Sequence, residues 1–99
     1  MIKHFVVFKL KDFPDKEKEA TAQKVQALFT ALPNIIPEIK QFEVGINTID
    51  TPFSYDVIIN SAFDNIEDLK HYQAHPAHQA AVAANKELSE TKVVIDYLV

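Results

Sequence analysis

The segment Tyr72-Gln73-Ala74-His75-Pro76-Ala77-His78 places two of the four histidines and one of the three tyrosines beside a forced break in the backbone. Pro76 fixes its own φ and disfavours the α region at His75, so a helix is expected to end near Ala74. Proline also suits the first position of a helix, which makes Ala77 and His78 the second and third positions of a new one. His78 then sits over exposed N–H groups at the positive end of a helix dipole, where imidazolium is disfavoured. A neutral imidazole near a phenol has the makings of a proton-transfer pair. The same residues also describe a structural joint between two helices, with Tyr72 packed and the polar tips satisfied locally. A third option is metal binding, since His71, His75 and His78 would share one side of a continuous helix. Pro76 breaks that continuity and no cysteine or obvious carboxylate completes the set, so no metal ligand and no cofactor is expected.

Composition narrows the chemistry by exclusion. The chain has 99 residues, 47% apolar and 24% charged, as expected for one globular domain over residues 1–99. No apolar run approaches the ~18 residues of a membrane span, and Met1 to Lys9 is too short and charged for a signal peptide. Without cysteine there is no disulfide framework and no thiolate metal site, and a cytoplasmic location is the simplest expectation. A net charge of −4 argues against nucleic acid as a partner. All 10 basic residues are lysine, so the planar fork that clamps carboxylates and phosphates is missing. Gly45 is the only glycine, which rules out a glycine-rich phosphate loop. Ser54, Ser61 and Ser89 lack the context of a nucleophile elbow.

The elements that must position these residues follow from periodicity. Ile2 to Leu10 alternates as a strand, with Ile2, His4, Val6, Phe8 and Leu10 on one face and Phe5 and Val7 on the other. Phe13-Pro14-Asp15 opens a helix whose stripe is Thr21, Val25, Leu28, Phe29 and Leu32, stopping at Pro33-Asn34. A second strand is expected from about Lys40 to Thr48, with Phe42, Val44 and Ile46 inward. A turn at Asp50-Thr51-Pro52 leads to a third strand from about Tyr55 to Phe63. Asp64-Asn65-Ile66-Glu67 resembles a capping box with Asp64 at the cap. The helix it starts runs to the Pro76 break, and an alanine-rich helix continues to about Leu88. Lys92 to Val99 forms the last strand, with Val93, Ile95, Tyr97 and Val99 on one face and Val94 and Leu98 on the other.

The order βαββαβ is that of a ferredoxin-like α+β subunit, an antiparallel sheet of four strands with helices on one face. Three strands also carry apolar residues on the second face. A monomer would leave that patch in water, so a homodimer packed sheet against sheet is the physical expectation.

The opening Ile2-Lys3-His4-Phe5-Val6-Val7-Phe8-Lys9-Leu10, the Tyr-x-x-His-Pro-x-His segment and the closing Val94-Ile95-Asp96-Tyr97 closely resemble the stress-responsive dimeric A/B barrel domains, often called Dabb. The resemblance runs over the whole chain and implies a subunit that dimerises into an α+β barrel. Most such domains have no established activity, so the leading expectation is a homodimer that binds a small apolar molecule between sheet and helices. One branch, the plant polyketide cyclases, performs a cofactor-independent aldol cyclisation. By that resemblance Tyr72 and His78 are the catalytic pair, with His78 as base and Tyr72 donating to the developing enolate or alkoxide. His4 and His75 would orient the pair or line the pocket. Two positions depart from the cyclase pattern: Asp56 stands where a strand-three histidine is expected, and Phe29 replaces a tyrosine late in the first helix. With His4 and His75, these two complete the substrate-binding set. The alternative is a cofactor-independent enzyme of aldol, cyclase or isomerase type using Tyr72 and His78. A third class, a purely structural or interaction dimer, would have its cavity filled by side chains such as Phe29, Phe63 and Leu69.

Overall fold

The β-branched and aromatic residues that follow Met1 form strand β1 (Ile2–Leu10), and their alternation decides the two sides of the sheet. A computed structural model describing all 99 residues gives the remaining elements as α1 (Asp15–Thr30), β2 (Gln41–Ile46), β3 (Val57–Phe63), α2 (Ile66–Ala74), α3 (Pro76–Lys86) and β4 (Ser89–Leu98). The strands form one antiparallel sheet in the order β2-β3-β1-β4. This is the ferredoxin-like α+β arrangement, with the second helical element broken in two at Pro76.

Ile2, His4, Phe8 and Leu10 are buried on the inner face of β1, beneath the helices. Helix α1 supplies Val25 and Phe29, and the Phe29 ring stacks on Phe8 at 5.7 Å. A single 3-10 turn over Leu32–Asn34 follows α1 and keeps Leu32 in the core after the α-helix has ended. On the outer face the register aligns Phe5 with Ile95 and Val7 with both Ile58 and Val93. Ile58, Val93, Ile95 and Tyr97 are all exposed there.

Three local expectations are corrected. The cap of α2 is Asn65, not Asp64: the Asn65 side chain accepts from the N–H of Asp68 at 2.8 Å, so the reciprocal box with Glu67 does not form. Strand β3 begins at Val57; just before it, Asp56 donates its N–H to the Phe8 carbonyl and accepts the Leu10 N–H on its side chain. Strand β4 starts at Ser89, earlier than the apolar pattern indicated. Its polar opening, Ser89 to Lys92, joins the ladder through backbone hydrogen bonds, which need no apolar side chain.

Candidate functional site

The break at Pro76 builds the site. His75 is extended (φ −63°, ψ 135°), as the residue before proline must be. Its Nδ1 accepts the N–H of Ala77 at 3.0 Å and caps α3. In an unbroken helix that N–H would donate to the carbonyl of Gln73, four residues back. Released from that duty, the Gln73 carbonyl lies 3.1 Å from Nδ1 of His78. A carbonyl only accepts, so Nδ1 of His78 carries the proton and Nε2 of the neutral ring keeps its lone pair.

Tyr72, on the last turns of α2, is 1% exposed, and its ring centroid lies 4.3 Å from that of His78. Burial pushes the Tyr72 phenol well above its ordinary pKa of 10.0, so the hydroxyl stays protonated and remains a donor. Burial also holds the His78 imidazole below 6.5, with His4, Lys92 and His75 adding positive charge in the same direction. The hydrogen bond that His78 donates to the Gln73 carbonyl opposes the shift without cancelling it. The depression expected from a helix dipole is therefore present in direction, but its main cause is desolvation.

His4 closes the other side. It is buried on β1, 6.2 Å from the Tyr72 ring between centroids, and pairs through Nδ1 with the Asp96 carboxylate directly across on β4. An ionised carboxylate only accepts, so it holds the proton on Nδ1 and leaves Nε2 of His4 as the other ring nitrogen. Asp96 was not singled out from sequence. The available signal was an acidic residue on the inward phase of β4, shared with Val94 and Leu98.

These groups border a cavity of about 280 Å³ between the sheet and the helices. His4, Phe29, Tyr72 and His78 all line it, and Val6, Phe8, Ile59 and Val82 give it an apolar wall. Phe63 and Leu69 are buried nearby and are not among its lining residues.

Two of the residues proposed from sequence lie elsewhere. The His75 ring is turned to the helix cap and does not line the cavity. Asp56 lies just before β3 and does not line the cavity; it accepts from the N–H of Leu10 at 2.8 Å and pairs with Lys18 at 3.2 Å. That carboxylate raises the Lys18 pKa. Asp56 borders a separate, more open groove of about 560 Å³ that is largely polar and holds no histidine or tyrosine. His71 faces outward to Glu38 at 3.5 Å. The three histidines of this region therefore diverge, and no group of three or more histidine and carboxylate side chains is placed to hold a metal ion.

The fold agrees with what the chain resembles. Residues 2–99 match the Stress responsive A/B Barrel Domain, Dabb, and the chain belongs to that family. An uncharacterised protein of Streptomyces coelicolor is 42% identical over 97 residues, covering 98% of each chain. Olivetolic acid cyclase of Cannabis sativa is 28% identical over 98 residues, covering 97% of this chain and 94% of that one. Among solved structures, a dimeric ferredoxin-like protein of unknown function from Bacteroides fragilis superposes with a TM-score of 0.88 at 35% identity, covering 99% of this chain and 95% of the other. No helix is long and apolar enough to cross a membrane.

Proposed function

We propose that this protein binds a small, mostly apolar carbonyl compound in the cavity and moves a proton at the carbon beside the carbonyl, using Tyr72 and His78. The observation that carries this reading is the pairing of the two rings, 4.3 Å apart, in the wall of one open cavity. Nε2 of neutral His78 takes the proton, and the Tyr72 hydroxyl donates a hydrogen bond to the enolate oxygen that develops. Such a donor contributes most in a site shielded from water, where it stabilises charge formed only along the reaction. If the substrate carries a second carbonyl, the electron pair of the enolate attacks that carbon. The resulting alkoxide then takes a proton, which completes an aldol cyclisation without any cofactor. The similarity to olivetolic acid cyclase supports this class of chemistry.

The working form we propose is a homodimer joined through the outer face of the sheet. Exposed Ile58, Val93, Ile95 and Tyr97 support that interface, as does the dimeric state of the Bacteroides relative.

The test is deuterium exchange. Acetophenone-type and β-diketone compounds are incubated with the protein in heavy water, and label beside the carbonyl is followed by NMR. Wild type should accelerate exchange, His78→Ala should abolish the acceleration, and Tyr72→Phe should reduce it by about 10²-fold, as for loss of one oxyanion donor. Exchange equal to buffer for every compound would leave binding without proton transfer.

A further inference from the structure

The mouth of the cavity carries charge that the proton-transfer pair does not use. Lys86, in the last turn of α3, and Lys92, on the inner face of β4, both line it, with Glu90 between them in sequence. The ion pairs of the fold all lie elsewhere, so neither ammonium is neutralised by a neighbouring carboxylate. Two ammonium groups against one carboxylate leave the mouth positive in a chain whose net charge is −4. The placement also has an inside and an outside: Tyr72 is buried, whereas Lys86 and Lys92 are exposed. Lys92 is near enough to His78 for its charge to help depress the imidazole pKa.

We infer that the ligand is an anionic carbonyl compound whose carboxylate is held between Lys86 and Lys92 while its carbonyl meets Tyr72 and His78. This rests on the proposed use of the cavity and adds the class of ligand. Its apolar body lies against Val6, Phe8 and Phe29. A carboxylate fits better than a phosphate. A phosphate loop needs glycines, and the single glycine, Gly45, lies in β2 and does not border the cavity. Glu90 leaves one net positive charge at the mouth, which matches a monoanion.

The test compares benzoylbutyrate with its neutral primary amide by isothermal titration calorimetry at low salt. The acid should bind about fivefold tighter than the amide, the scale of two exposed ion pairs. The Lys86→Gln, Lys92→Gln double variant should erase that preference, and raising the salt should do the same. Equal affinities for acid and amide on wild type overturn the anionic class and leave the cavity's proposed use standing. Binding of neither compound overturns both. A preference that survives in the double variant overturns the assignment to the two lysines.

Discussion

His75 and Ala77 are joined by a hydrogen bond from the Ala77 N–H to the His75 ring, 3.0 Å long, and its effect is felt by His78. With Ala77 satisfied by a side chain, the Gln73 carbonyl turns to Nδ1 of His78 and selects its tautomer. One capping bond thus acts at a distance of three residues.

Removing that cap should cost stability and tautomer purity together. His75→Ala leaves the Ala77 N–H competing for the Gln73 carbonyl, and should destabilise the fold by about 1 kcal/mol, as for loss of an N-cap. His75→Asn supplies a side-chain acceptor and should recover most of that loss. Urea denaturation reads the first effect, and long-range nitrogen–proton correlation of the His78 ring reads the second. A His78 ring that keeps its Nδ1–H form unaltered in His75→Ala would uncouple it from the cap.

The half-buried His78 imidazole predicts a defined pH dependence. Its folded pKa lies below the ordinary 6.5, so between the two values the unfolded chain binds more protons than the folded one. Stability attributable to this group therefore falls as pH drops through 6.5, and the loss is complete once pH is below the folded pKa. Denaturation from about pH 8 down to about pH 5 should show this slope in wild type and a flatter profile in His78→Asn. An NMR titration midpoint above 6.5 would contradict it.

Asp96 should matter through His4. Asp96→Asn replaces an obligatory acceptor by an amide that can turn either way. The carboxylate is 36% exposed, so the expected cost is modest, about 1 kcal/mol. The sharper readout is the His4 ring, whose proton should no longer be confined to Nδ1. Unchanged stability together with an unchanged His4 tautomer would remove any orienting role for Asp96.

The outer sheet face should govern assembly. Ile95 is 64% exposed on that face, opposite Phe5. Light scattering should give twice the 11.2 kDa chain mass for wild type, and Ile95→Lys should shift the population to monomer without loss of helix signal. A wild-type monomer at micromolar concentration would refute the sheet-to-sheet interface.

Much of this molecule was legible in the alternation of β1 and in Pro76. The first separates the inner residues Ile2, His4 and Phe8 from the outer Phe5 and Val7. The second ends α2 at Ala74 and starts α3, as its missing N–H and fixed φ require. What escaped depends on side-chain direction and local competition. Asp56 lies just before β3 and is captured by Lys18 and the Leu10 N–H, so its place near a strand start did not make it a pocket residue. His75 is expected from sequence to orient the pair or line the pocket; an extended residue ahead of a helix has a nearby N–H to satisfy, and its ring caps α3 there instead of lining the cavity. The Asp96–His4 pair joins residues ninety-two positions apart, and only the β1–β4 register brings them face to face.

Strand β4 has a further consequence. Lys92, Val94 and Asp96 point toward the cavity and His4, while Val93, Ile95 and Tyr97 point the other way, into the face a second subunit would cover. Only β1 pairs with this strand, which is an edge of the sheet. A ligand that immobilises β4 from within presents a more ordered surface to the partner, and a partner that immobilises it from outside steadies the cavity wall. Such coupling is reciprocal in free energy. Ligand occupancy should therefore lower the dimer dissociation constant by the same factor by which dimerisation raises ligand affinity, with a single edge strand as the shared lever.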